Sequence, residues 1–298
     1  MVPLRHETQP QDSGLLIDKR CIRRYNNTVT DYRDRIGVLV VAVLLTLTVQ
    51  RLIALPTRTI YGILLGSPVA LNLTAATILA AILVGLVALG TDSVIRSHPR
   101  AQAGELANTW VFWALPCALV VVAAQLLPLA ETKLIWLGGL LLTGLLLTLA
   151  EVAAYRTIDP LAPGARRARG FLTLLTFAVA VMLFLVVYQS RMRSLLSATW
   201  VLTVSALLAL EILRETGRPL RQILPFAAIT GLVLGETTWA LNYWRGPSLN
   251  GGLFLLLGFY LLVGLAQQGI QARLSRRVLA EFAVVTLIIL GLIARLRG

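Results

Sequence analysis

The chain predicts an all-α fold, a polytopic integral membrane bundle of about nine transmembrane helices, and three observations carry that expectation. Hydrophobic residues make up 57% of the 298 residues, and charged residues only 14%. The apolar residues gather in stretches of about the 20 that a helix needs to cover roughly 30 Å of hydrocarbon. Arginine density alternates between the gaps, as the positive bias of cytoplasmic loops requires of a multi-pass protein.

A polar, basic segment, residues 1–35, comes first. It lacks the short apolar run and small-residue cleavage site of a secretory signal, so the first helix is expected to be retained. The transmembrane domain, 36–298, then divides into spans 36–55, 71–91, 110–129, 134–155, 170–190, 194–213, 222–242, 251–269 and 278–294. The last is the weakest, being short and carrying Glu281 near its start. The run 60–65 is too short to cross and should lie at the surface or extend the second helix. Pro116, inside span three, removes a backbone donor and is expected to kink its helix, whereas Pro225 falls in a first turn and is tolerated there. Gly62 with Gly66, and Gly231 with Gly235, have the four-residue spacing that lets helix backbones approach closely. No internal repeat of the inverted-transporter kind is visible.

Nineteen of the 27 Lys and Arg residues fall on the side of the N-terminal segment and of the loops after spans two, four, six and eight. That asymmetry makes the N-terminus cytoplasmic and, with nine spans, the C-terminus external, in the plasma membrane of a bacterium. The formal charge of +13 would point to nucleic acid in a soluble protein. Here the positive residues sit at the level of anionic lipid headgroups, each drawn there by about 1 kcal/mol. The expected partners are therefore the lipid bilayer, its anionic headgroups and other membrane proteins, with no nucleic acid.

Chemical equipment is scarce. Cys21 and Cys117 cannot form a disulfide framework. His6 and His98 both lie outside the spans, which argues against an intramembrane haem or histidine metal site. The loop 91–109 offers only Asp92 and Glu105, too few oxygens for the Mg²⁺ and diphosphate of an intramembrane prenyltransferase. The stretch after the first span, Pro56-Thr57-Arg58-Thr59, has no carboxylate for a lipid-linked glycosyltransferase, and no histidine can reach a membrane serine. No catalytic residue, metal ligand or cofactor is assigned.

Acidic residues in the spans are the most selective signal, because an ionised carboxylate is costly in hydrocarbon and faces a partner or a cavity. Asp92, Glu151, Glu211 and Glu281 lie near cytoplasmic helix ends, where pairing with adjacent arginines accounts for them. Glu236 is different, since 15 residues at about 1.5 Å each carry it roughly 22 Å from Arg221. Arg51 lies at similar depth in span one and would meet Glu236 if spans one and seven are neighbours. Glu236, Trp239 and Tyr243 share one helical stripe, so Glu236, Arg51, Trp239 and Tyr243 form the expected intramembrane polar site. The competing reading is a buried ion pair with an interfacial aromatic belt.

The segment 235–244, Gly-Glu-Thr-Thr-Trp-Ala-Leu-Asn-Tyr-Trp, is followed by Gly258-Phe259-Tyr260, Gly264 and Glu281. This Glu-x-x-Trp-x-Leu pattern, with the Phe-Tyr pair in the next helix, resembles an uncharacterised family of polytopic membrane proteins of Chloroflexota-type bacteria. The resemblance covers mainly the C-terminal third and implies the membrane architecture alone.

The expected function is a non-enzymatic carrier or membrane-complex subunit handling a small molecule or lipid. The alternative is a membrane-embedded lipid-processing enzyme built at the cytoplasmic helix ends from residues such as Glu151, Arg156, Glu211 and Arg214. A carrier should show a polar cavity near Glu236, and the enzyme should show converging carboxylates.

Overall fold

A computed structural model describes residues 13–52, 58–64, 67–73, 75–106, 108–189, 194–243, 248–273 and 275–295. Ten helices appear in it: α1 (Ser13–Leu52), α2 (Ala75–Arg96), the short α3 (Pro99–Gln102), α4 (Ala114–Leu126), α5 (Lys133–Thr157), α6 (Ala165–Gln189), α7 (Ser194–Leu213), α8 (Leu220–Asn242), α9 (Ser248–Ile270) and α10 (Arg276–Arg295). Eight helical segments among the described residues are long and apolar enough to cross a membrane, and they coincide with the first eight expected spans. The bundle is all-α in class, and the ninth expected span is α10, packed mainly on α9.

The connection from α1 to α2 departs from expectation. Strand β1 (Arg58–Leu64) pairs antiparallel with β2 (Ser67–Leu73), in register from Arg58 opposite Leu73 to Leu64 opposite Ser67. Residues 60–64 of the run therefore do not extend α2, Leu65 lies outside the described residues, and residues 71–73, placed in span two, belong to β2. Thr59, Ile60, Tyr61, Ile63 and Val69 are β-branched or aromatic, the residues that suit a pleated pair. Gly62 lies on β1, so its spacing to Gly66 has no helical meaning, and Gly66 lies outside the described residues.

Helix α4 is the axle of the bundle, touching α2, α5, α6 and α7. It is preceded by a 3-10 turn, Trp110–Trp113, and followed by another, Leu127–Leu129. Pro116 consequently sits in the first turn of the α-helix proper, where its missing N–H has no ladder partner to lose. At that position no kink is required of the helix. Pro225 shows the reverse shift: α8 starts at Leu220, so this proline lies inside the helix. On the far side Phe259 of α9 meets Phe177 and Phe184 of α6 at ring separations of 5.6 and 6.1 Å. Between α7 and α8 the backbones approach so closely that a Cβ on Gly231 would stand 2.5 Å from the Leu202 carbonyl oxygen, and one on Gly235 2.9 Å from Leu202 Cβ. This pair does what its spacing predicts.

Five threonines inside the spans satisfy themselves. Thr46, Thr143, Thr176, Thr230 and Thr238 each donate to the carbonyl four residues earlier, at 2.8 to 2.9 Å. Hydroxyls bound this way satisfy their own donors without leaving the helix, which apolar surroundings demand.

Candidate functional site

The expected cytoplasmic ends do gather at one end of the bundle. Arg35 of α1 donates to Ser93 Oγ on α2 at 2.7 Å, and Tyr32 stacks on Tyr155 of α5 at 4.4 Å. His98, after α2, meets the same Tyr155 edge-on at 4.7 Å. His98 also caps α3, its Nδ1 accepting from the Arg100 amide at 3.2 Å, with Pro99 at the first helical position. Burial lowers its pKa from the usual histidine value, with Arg100 adding to the effect and Asp159 and Glu105 opposing it.

Three of the four residues of the enzyme alternative converge beneath this cap. Glu151 of α5 and Glu211 of α7 are both buried, at 0% and 2% exposure, and close enough for their charges to repel. Arg214 holds Glu211 through both carboxylate oxygens, at 2.8 and 2.5 Å, and lies 4.0 Å over the ring of Phe112. Glu151 departs from expectation: its partner is no arginine but Thr91 Oγ1, which donates to Oε1 at 2.5 Å, while Oε2 has no hydrogen-bond partner among the described residues. Asp92 pairs with Arg96 four residues on, and Glu281 with Arg277 four residues back, as expected of helix-end acids. Arg156 stands apart. With Arg167, Leu149 and Phe171 it borders a cavity of about 330 Å³ between α5 and α6. What converges is thus two acids and one guanidinium, with Thr91–Glu151 tying α2 to α5 and Glu211–Arg214 closing the end of α7.

The opposite end holds the expected polar site, and its parts lie apart. Arg51, in the last turn of α1, places its guanidinium 5.2 Å from the ring centroid of Trp136 on α5. Glu236 is exposed on α8, and no ion pair joins it to Arg51 among the described residues. The physical reason is helix order: α1 packs on α2 and α5, whereas α8 packs on α7 and α9. Trp239 and Tyr243 stay together on the exposed face of α8, with rings 6.1 Å apart.

Two cavities at this end escaped the sequence reading. A groove of about 460 Å³ runs between α4, α5 and α6, lined by Leu119 and Val122, by Leu142 and Leu146, and by Val179 and Met182. Its one hydroxyl, Thr143, is bonded to the Gly139 carbonyl at 2.8 Å. A polar cavity of about 290 Å³ adjoins it, bordered by Gln50, Arg51 and Trp136, and the two share Leu127 and Ala130 as a common wall. Leucine-rich spans look alike whether they face a groove or a packed neighbour, so only Arg51 carried a signal.

No curated protein and no solved structure matches the chain. A family model described as "Protein of unknown function (DUF5656)" matches residues 55–296. That match takes in everything from the hairpin to the end of α10, and by it this multi-pass membrane protein belongs to the DUF5656 family.

Proposed function

We propose that the protein is a non-enzymatic, multi-pass protein of the bacterial plasma membrane that holds a lipid or apolar small molecule, as a carrier or as a membrane subunit of a complex. The observation that carries this reading is the groove between α4, α5 and α6. Its volume falls within the roughly 300–1,000 Å³ of small-molecule sites, and its walls present methyl and methylene groups rather than an acid, base or nucleophile. The converging carboxylates support a structural role instead, because Glu211 is held by Arg214 and Glu151 by Thr91. The basic end of the bundle suits the cytoplasmic leaflet, with the N-terminus inside and the C-terminus outside. There Arg156 and Arg167, which border one cavity, would suit anionic headgroups.

The test is mass spectrometry of the lipids and small molecules retained after purification in mild detergent. An apolar species enriched over its share of the membrane, and lost when Ala178→Phe fills the groove, is the expected result. Retention that mirrors bulk lipid and ignores Ala178→Phe would overturn the reading.

One observation favours the complex-subunit form. Ile229, Leu232, Val233, Trp239 and Tyr243 are exposed along α8, with Glu236 among them and without an ion-pair partner among the described residues. Leaving a charge in hydrocarbon costs about 2.5 to 3.5 kcal/mol on insertion scales, so a partner helix bearing Lys or Arg would stabilise this face. A photo-crosslinking residue at Leu232 should then capture a protein in intact membranes, and Glu236→Lys should abolish the adduct. Adducts to lipid alone would remove this form.

A further inference from the structure

The apolar groove ends at the two residues, Leu127 and Ala130, that it shares with the polar cavity around Arg51. We propose that groove and cavity together bind one anionic, single-chain lipid, its headgroup on Arg51 and its acyl chain between α4, α5 and α6. The proposal rests on the groove being a lipid site, as argued above, and adds the chemistry of the occupant.

Charge complementarity selects the headgroup. Arg51 makes no ion pair among the described residues, and its guanidinium is held by the face of Trp136, 5.2 Å away. A planar guanidinium fixed by an aromatic face keeps its N–H groups free for phosphate or carboxylate oxygens. Gln50 beside it is steadied by its Nε2, which donates to the Ala124 carbonyl at 3.2 Å, so its side-chain oxygen remains to accept from a headgroup hydroxyl. Among the described residues, no other charged side chain borders the cavity around Arg51. Arg51 therefore decides the sign of the mouth.

Length selects the tail. The α5 wall runs from Ile135 beside the mouth to Leu146, eleven residues or about 16 Å of helix. That is close to half of the roughly 30 Å hydrocarbon thickness, the depth that an acyl chain of one leaflet occupies. Wall residues Leu142 and Ala178 are exposed, so a chain can enter sideways from the bilayer while its headgroup stays at the interface.

The purified full-length protein in a neutral detergent is titrated with palmitoyl lysophosphatidylglycerol and, separately, with palmitoyl lysophosphatidylcholine, with binding read by native mass spectrometry. The anionic lipid should bind at least about tenfold more tightly, the factor expected of a charge-assisted contact. Arg51→Gln should erase that preference by weakening only the anionic lipid, and Arg51→Lys should restore part of it. Ala178→Phe should weaken both lipids. Equal affinity of the two lipids for the wild-type protein, a comparison that needs no variant, would overturn the headgroup assignment while leaving the groove as a lipid site. Binding of either lipid that ignores Ala178→Phe would overturn the groove itself.

Discussion

Replacing Arg214 by methionine should destabilise the bundle more than any other single change at its basic end. Arg214 and Glu211 are 12% and 3% exposed, and the guanidinium is bonded to both carboxylate oxygens while resting on Phe112. Methionine fills much of the same space but leaves the Glu211 carboxylate buried without its cation. Breaking a buried pair from one side costs about 3 to 5 kcal/mol. At roughly 2–4 °C per kcal/mol for chains of this order of size, the melting temperature in detergent should fall on the order of 10 °C. Tryptophan fluorescence of the purified protein is the readout. Glu211→Gln alone should cost less, because Arg214 lies at the helix end and its head can turn toward water. The double variant Glu211→Gln/Arg214→Met should then recover part of the Arg214→Met loss, since no charge is stranded. Strictly additive losses around that cycle would refute the argument, as would an Arg214→Met protein that melts within about 1 °C of wild type.

Three further outcomes are expected. Gly231→Leu should sharply lower the yield of folded protein, since even its Cβ would stand 2.5 Å from the Leu202 carbonyl. Gly85→Ala, with nothing within 4 Å, should cost nothing; equal behaviour of the two would mean that α7 and α8 do not pack this closely. Cysteines placed at Ser13 and at Arg295, in a Cys21→Ser/Cys117→Ala background, should be labelled from opposite sides of the membrane, and same-side labelling would lay α10 on the surface rather than across it. Finally, the fold holds His98 neutral, with its pKa lowered by burial. The contribution of His98 is thus fully present above the usual value of about 6.5, and it is lost as pH falls through the lowered folded value. His98→Asn keeps a cap acceptor, so it should flatten that acid limb in melts run between about pH 7.5 and 5; an unchanged limb would assign the pH dependence to other groups.

The first eight spans are legible because hydrocarbon imposes a length and an absence of charge that any helix must meet one residue at a time. The ends of the apolar spans are legible to within about six residues for the same reason, but α1 begins at Ser13, well ahead of its expected span at 36, because a polar helical extension carries no hydrocarbon signal. Neighbours are a different matter. Glu236 and Arg51 share a depth, and depth is all that a residue count along two helices can provide. Whether they meet depends on the order of helices around α4, which places α5 beside α1 and leaves α8 with α7 and α9. The same gap explains Glu151, whose nearest arginine in sequence, Arg156, turns to a different cavity while Thr91 of another helix supplies the bond. The hairpin was hidden because a six-residue apolar run has no period long enough to tell strand from helix.

The two ends also differ in what their charges are free to do, and this decides where ligand chemistry belongs. At the basic end Arg214, Arg96 and Arg100 already face Glu211, Asp92 and Glu105, so a new anion at any of these three would compete with an existing carboxylate. At the other end Arg51 faces an aromatic ring and an open cavity. A ring stabilises a guanidinium by about 0.5 to 1 kcal/mol at exposed sites, less than a charge-assisted hydrogen bond contributes. An arriving anion can therefore improve the surroundings of Arg51 without displacing a carboxylate. Sequence depth picks out Arg51 and pairs it with Glu236; in the fold Arg51 instead faces a ring and a cavity beside an apolar groove about one leaflet deep, where the anion proposed above would sit.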